Sequence, residues 1–264
     1  MLTLDIIVCI KQVPETTEVE IDPETKTLVR EGVPSEINLL DLHAIEESLR
    51  IREKFGGKVI VMSMGPPQAE DAIRDALAMG CDDGLLISDK AFAGSDTLAT
   101  WYALALGIKK IGHYDLVICG MKTTDGDTGQ VGPGLAQGLG IAHVAYVNKI
   151  EDISDSHIVV NKMVEDGTEV IKCPLPCLLT VLKGINKPRL PSLKLKIKAR
   201  KSTIKTWGPK ELEGELSRYG LDGSPTQVVE VYNPEPPEKG EMISGTPQVQ
   251  AEKLVDKLKS LKIL

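Results

Sequence analysis

Aromatic side chains are scarce in this chain of 264 residues, where Phe, Trp and Tyr together make 3%. Val, Ile, Leu and Ala must therefore fill any core, and a hydrophobic content of 42% lets them do so. No apolar run approaches the ~20 residues that a membrane span requires. The N-terminus, MLTLDIIVCIK, holds an Asp inside its apolar run and lacks a basic leader, so it reads as a first strand and not as a signal peptide. The five cysteines are an odd, scattered set in mostly apolar settings, which favours reduced thiols in a cytoplasmic protein. Cys173 and Cys177 flank Pro-Leu-Pro with no second pair and no nearby His, a poor pattern for a metal. Four His and five Cys at unrelated spacings argue against an independent hydrolase. A formal charge of −7 argues against generic nucleic-acid binding. There is no G-x-G-x-x-G after the first strand and no G-x-x-x-x-G-K-[ST] anywhere, so two familiar nucleotide fingerprints are missing.

What the chain does have is alternation. Leu4 to Lys11, Val59 to Ser63, Gly84 to Ser88 and Leu116 to Cys119 are short apolar runs of the kind that make buried parallel strands. Between them lie helical patterns: one opened by Asn38 as N-cap and running to Gly56, one from Ala69 to Met79, and one capped by Ser95 or Asp96 and running to Ile111. A fourth restarts at Gln130, with Pro133 tolerated in its first turn. Glu18 to Val33 reads as a surface hairpin. Ala142 to Ile150 is a further strand, followed by a hairpin around Glu165-Asp166-Gly167 and the strand Leu178 to Val181. The expected fold is α/β: a mostly parallel twisted sheet with helices on both faces, and an extended C-terminal arm.

In such folds ligands sit beyond the carboxyl ends of the strands. Those ends are Cys9 to Pro14, Ser63 to Pro66, Asp89 to Thr97 and Gly120 to Gly129, rich in Gly, Thr, Ser, Asp and Pro and free of aromatic bulk. A nucleotide suits them and a hydrophobic ligand does not; the stretch from Tyr114 to Leu135, a strand, a loop of small residues and a helix N-terminus, is the kind of geometry that binds phosphate. From Lys183 the character changes. Ile185 to Pro191 reads as a linker, and Ser192 to Lys205 as a basic, solvated strand or docking segment in which Lys alternates with Leu193, Leu195 and Ile197. Beyond Trp207 the chain is too rich in Pro and Gly to close its own core. With Trp207, Tyr219, Val228, Val229, Val231 and Tyr232 it is also too apolar for a free linker, so it reads as an arm packed on another subunit. Val249 to Leu261 returns to helix. The expected division is 1–184 for the nucleotide-binding domain and 185–264 for docking and the arm.

Several stretches together resemble the beta subunit of the electron-transfer flavoprotein family over essentially the whole chain. They are Val8 to Pro14 (VCIKQVP), Asn38, Met64-Gly65-Pro66, Ala76 to Gly80 (ALAMG), Asp125 to Pro133 (DGDTGQVGP) and Lys198 to Lys201 (KARK). The resemblance implies a heterodimer with an alpha subunit, each C-terminal arm embracing the other. Such beta subunits bind either AMP or a second FAD. Ala93 to Thr100 (AGSDTLAT) and the compact DGDTGQVGP loop resemble the FAD-holding, electron-bifurcating type. That type implies that NADH gives two electrons to the beta-subunit flavin. One passes to ferredoxin or flavodoxin and one through the alpha-subunit FAD to a dehydrogenase. The alternatives are a non-bifurcating subunit that holds AMP and passes electrons to a quinone reductase, and a redox-inactive adenine-nucleotide sensor.

The resemblance also implies site residues. Cys9, Asn38, Leu39, Leu40 and Asp41 match positions lining the adenosine, with Met64 and Gly65 at the strand end beside it. Asp96, Thr97 and Thr100 would hold the diphosphate, Thr97 by donation and Asp96 as the cap that orients the turn, since an ionised carboxylate cannot donate. Thr123, Thr124, Asp125, Gly126, Asp127, Thr128, Gly129, Gln130 and Val131, beyond the strand end at Gly120, would close over phosphates and ribose. Lys11 to Pro14 lie where the flavin or nicotinamide end could reach. Asp125 and Asp127 invite a metal, but the family needs none. Leu193 aligns with an anchor that plugs a hydrophobic pocket of the dehydrogenase. Arg189 to Leu195 departs from the commoner family pattern, and Leu39-Leu40 replaces a usual Pro and aromatic. The partner is therefore an acyl-CoA dehydrogenase, the family default, or a flavin-dependent 2-hydroxyacid (lactate-type) dehydrogenase. No acid, base or nucleophile of the chain's own is expected, because electron transfer is cofactor chemistry and the subunit alone has no complete catalytic site.

Overall fold

The computed structural model describes residues 2–15, 34–229 and 240–264. The hairpin expected over Glu18 to Val33, and Val231 and Tyr232 of the arm, lie outside the described residues. The first strand, β1 (Ile6–Ile10), is buried along its whole length, as an unbroken apolar run demands when both faces are covered. A short antiparallel pair, β2 (Gln12–Pro14) and β3 (Ser35–Ile37), leads to α1 (Leu39–Phe55). Strand and helix then alternate through β4 (Val59–Met64), α2 (Glu70–Met79), β5 (Asp83–Ile87), α3 (Thr97–Ile111), β6 (Leu116–Gly120) and α4 (Val131–Leu139). A meander of β7 (Ala142–Ile153), β8 (His157–Val164) and β9 (Gly167–Pro174) precedes β10 (Cys177–Val181). The chain continues through α5 (Leu193–Lys201), β11 (Lys205–Trp207), α6 (Pro209–Leu212) and α7 (Pro247–Ser260).

One sheet runs in the order β11-β5-β4-β1-β6-β10-β7-β8-β9. It is parallel from β11 to β7 and antiparallel from β7 to β9. The strand period of two sorts the core into two layers. Ile6, Val8 and Ile10 of β1 pack with Ala44, Ile45 and Leu49 of α1 and Ile73 of α2. Ile7 and Cys9 pack on the other face with Ala103, Leu104 and Ile108 of α3 and Leu135 of α4. The expected α/β class and the aliphatic core are thus observed.

Trp101 of α3 lies against the glycines of α4. A Cβ at Gly134 would come within 2.6 Å of the Trp101 Nε1, and one at Gly138 within 2.6 Å of its Cζ3. The indole occupies the space those side chains would fill, so the two helices approach closely and their N-termini end side by side.

Two expectations are corrected. Ser192 to Lys205 is not a strand: Leu193–Lys201 is helix, with the Ser192 hydroxyl accepting from the Leu195 N–H at 3.2 Å. The Leu/Lys alternation has no sheet to face, and Leu, Lys and Arg are good helix formers. Nor do Trp207 and Tyr219 await another subunit. β11 pairs in parallel with the otherwise open edge of β5, and Tyr219 is buried edge-on against Phe92, with ring centroids 5.0 Å apart. Val228 and Val229 stay exposed. The chain divides into two compact units, Met1–Val229 and Glu230–Leu264. In the second, α7 begins at Thr246 as N-cap and buries none of its side chains.

Candidate functional site

From β1 the chain steps outward through β4 to β5, then returns by α3 to pair β6 with the opposite side of β1. The order therefore reverses between β1 and β6. In open α/β sheets such a reversal leaves a crevice at the carboxyl ends of the two strands. Asp41, in the first turn of α1, fills its base: one carboxylate oxygen accepts the Lys11 N–H at 2.8 Å and the other the Gly120 N–H at 3.0 Å. Gly120 has to be glycine here, since a Cβ would come within 2.8 Å of the Leu40 carbonyl carbon and run into the Asp41 carboxylate. Burial pushes the Asp41 carboxyl up to about 7, against the opposing pull of the Lys11, Asn38 and Gly120 donors.

Asn38 stands at the N-cap position of α1 but does not cap it. Its fully buried amide reaches the neighbouring loop, Nδ2 donating to the Lys122 carbonyl at 3.0 Å and Oδ1 accepting the Thr124 N–H at 3.1 Å. The loop from Met121 to Gln130 is fixed again at Asp125, whose carboxylate meets the Lys11 Nζ at 2.6 Å, and at Asp127, 2.6 Å from the Lys122 Nζ. Burial would raise the Asp125 carboxyl, but the Lys11 ammonium and hydrogen bonds from Lys11 and Thr123 outweigh it and hold it below the ordinary range. Each loop carboxylate thus has a lysine, and among the described residues no cluster of His, Cys, Asp and Glu could hold a metal. Asp127 and Gly129 have left-handed φ values of 50° and 63°, which turn the chain into α4.

The other wall is the start of α3. Asp96 is its cap, one oxygen accepting the Leu98 and Ala99 N–H groups at 2.9 and 3.1 Å. The second oxygen accepts the Thr226 N–H at 3.1 Å and its hydroxyl at 2.8 Å, while the Asp96 N–H donates to the Ser224 Oγ at 2.8 Å. Thr97 Oγ1 donates to the Gln130 Oε1 at 3.0 Å, which joins the first turn of α3 to the cap of α4. Two helix N-termini therefore stand together beside the crevice, joined by the Thr97 hydroxyl, with the Leu98 and Ala99 N–H groups of α3 already held by Asp96.

Lys11, Asn38, Asp41, Gly120 and Thr123 to Gln130 come together around the crevice, and Thr97 joins them through Gln130. Val131 is the first residue of α4, and Thr100 lies one turn along α3, half-buried. Leu39 and Leu40 open α1, Leu39 exposed. Met64 ends β4 and Gly65 follows it, its N–H donating to the Ile87 carbonyl. Cys9 lies beneath, paired in register with Cys119; both thiols are buried, and contact with Cys9 and burial push Cys119 well up. Leu193 belongs elsewhere, exposed in the first turn of α5. The sequence reading did not find Lys122, Ser224 or Thr226. The last two sit 128 and 130 residues from Asp96, and no local pattern marks such a bond.

Fold and crevice define an α/β protein with an open polar rim at a reversal of strand order. A family model described as "Electron transfer flavoprotein domain" matches residues 25–212. The electron transfer flavoprotein subunit beta of Thermoanaerobacterium thermosaccharolyticum is 49% identical over 262 residues, covering 99% of this chain and 100% of that one. The caffeyl-CoA reductase-Etf complex subunit CarD of Acetobacterium woodii is 47% identical over 261 residues, 98% of this chain and 99% of its own. Protein FixA of Azorhizobium caulinodans is 42% identical over 260 residues, 96% and 92%. The chain belongs to the electron transfer flavoprotein family, as a beta subunit. That membership implies an alpha-subunit partner. Among the described residues no helix is long and apolar enough to cross a membrane.

Proposed function

We propose that this chain holds an FAD along the rim and, with its alpha subunit, takes electrons from NADH and bifurcates them. One electron goes to ferredoxin or flavodoxin and the other, through the alpha-subunit FAD, to a flavin-dependent dehydrogenase; the complex can also run in reverse. The observation that carries this reading is the pairing of two helix N-termini through Thr97 and Gln130, a place suited to a diphosphate. The loop of the rim fits such a group: its side chains from Thr123 to Gln130 are small or polar, and the carboxylates around it are occupied by lysines or backbone N–H groups. Bound FAD supplies hydride acceptance and single-electron delivery. The Thr97 hydroxyl, turned from Gln130 to the ligand, and the first N–H groups of α4 would donate to the diphosphate. Asp96 keeps that turn in shape, Asn38 and Lys11 hold the Met121–Gln130 loop over the site, and Asp41 with Cys9 forms the floor.

Residues 1–184 hold the cofactor in this reading, and 185–264 serve docking, with α7 an arm for the alpha subunit. The name of the Acetobacterium relative joins a CoA-thioester reductase to an Etf complex, which supports the acyl-CoA type of dehydrogenase over the 2-hydroxyacid type. The five cysteines are all free and buried, which supports a cytoplasmic setting.

Counting cofactors in the purified heterodimer tests the proposal. Two FAD per complex are expected. One FAD with AMP replaces bifurcation by transfer to a quinone reductase, and nucleotide without flavin leaves a sensor. Thr97→Ala should weaken the beta-site flavin about tenfold, the scale of one hydrogen bond to a charged group; equilibrium dialysis showing unchanged flavin binding removes Thr97 from the phosphate site. Leu193→Ala should slow reduction of the dehydrogenase, relative to reduction of a dye, by the ~2 kcal/mol of one buried leucine, read by stopped-flow.

A further inference from the structure

Ile185 to Pro191 reads from sequence as a linker, yet side chains fix it to α1. Asn186 Nδ2 donates to the His43 carbonyl and to a Glu47 carboxylate oxygen, both at 2.9 Å, and its Oδ1 lies 3.0 Å from His43 Nδ1. Three residues on, the Arg189 N–H and Nε donate to Glu46 Oε2 at 3.0 and 2.8 Å, and Nη2 donates to Glu46 Oε1 at 3.1 Å. The same guanidinium reaches Glu53, about two turns further along α1, at 2.5 and 3.1 Å. His43, Glu46 and Glu47 are themselves buried, so the acceptors are rigid.

The far end of the segment is held as well. Arg74 of α2 pairs with Glu70 and donates to the carbonyls of Ala199, Ser202 and Arg200 at 2.8, 3.1 and 3.3 Å. These carbonyls lie at the C-terminal end of α5, where Ala199 also accepts the Ser202 N–H at 3.2 Å. Burial cannot do this work, because Ala199 is the only buried residue of that helix. Directed bonds at each end set its place instead.

We propose that Asn186 and Arg189 are positioning residues for dehydrogenase docking, holding the Leu193 turn at one fixed place so that the partner meets a preformed anchor. This rests on the reading of Leu193 as the docking residue. Leu190 and Leu193, which follow the clamp directly, are 92% and 76% exposed; a clamp serving stability alone gives no reason to hold apolar side chains outward. A mobile segment presents the anchor only part of the time, and apparent affinity falls by that fraction.

The test is a titration of the purified heterodimer with an acyl-CoA dehydrogenase, or with a flavin-dependent 2-hydroxyacid dehydrogenase if the first gives no turnover with the unaltered complex. Arg189→Met is expected to raise KM for the dehydrogenase about tenfold while kcat at saturation stays within about twofold. Amide exchange from Leu193 to Ala199 should quicken, and Arg189→Lys, which can meet one carboxylate, should fall between. If Arg189→Met fails to fold, Glu53→Gln cuts only the exposed arm of the clamp and should still raise KM. Leu193→Ala, run alongside, separates the claims. If it raises KM and neither clamp variant does, the positioning assignment is overturned and docking stands. If it leaves KM unchanged, the docking reading falls and takes the assignment with it.

Discussion

The Asp41→Ala variant is expected to melt roughly 6–12 °C below the unaltered chain, because two part-buried backbone N–H groups lose their acceptor at a combined cost of about 3 kcal/mol. The groups are those of Lys11 and Gly120, at the carboxyl ends of the two strands where the sheet order reverses. The loss should depend on pH in a definite direction. Burial raises the Asp41 carboxyl from 3.8 to about 7, so the folded chain binds more protons than the unfolded chain between those values. The contribution is then fully present below the lower value and fades as pH rises through the upper one. The melting difference between variant and parent should therefore be larger at pH 5 than at pH 8, as calorimetry can show. An equal or reversed difference means that the carboxylate, not the acid, is the form the fold favours. Flavin retention should fall with it, since the same residue sets the floor of the proposed site.

Gly134→Val should be nearly as damaging, and through packing alone. The new side chain would drive into the Trp101 indole, and overpacking of this kind costs about 1–3 kcal/mol. Relief requires α4 to move away from α3, which parts Thr97 from Gln130 across their 3.0 Å hydrogen bond. Affinity for the proposed beta-site flavin is expected to drop by more than for Thr97→Ala, because both helix N-termini lose their placement together. Combining Gly134→Val with Trp101→Leu makes room and should restore part of the stability and the binding, a non-additivity expected of residues in contact. Additive losses in that cycle would show that the glycine acts by some means other than the indole.

The alternation of buried runs with helical stripes made the parallel sheet legible, because a strand covered on both faces leaves an apolar signature that no exposed element shares. The polar turns at the strand ends were legible for the same reason, since Gly, Thr and Asp there have no core to serve. What stayed hidden were bonds between residues far apart in sequence. Asn38 carries the signal of a helix cap, and its position is one, but its amide serves the loop at Lys122 and Thr124. Arg189 sits among prolines that read as a linker, and only the fold brings Glu46 and Glu53 to it. Trp207 and Tyr219 were apolar without periodicity, so nothing local said that an open strand edge and Phe92 were waiting for them.

The bonds from Ser224 and Thr226 to Asp96 bear on how the protein is made. Synthesis delivers the sheet and the first four helices well before it delivers those two residues. A nascent chain stalled short of Thr226 has every strand of the rim but only half the partners of the Asp96 carboxylate. In the proposed function, the turn that would hold the diphosphate is complete only once Ser224 and Thr226 have been made and folded back onto Asp96.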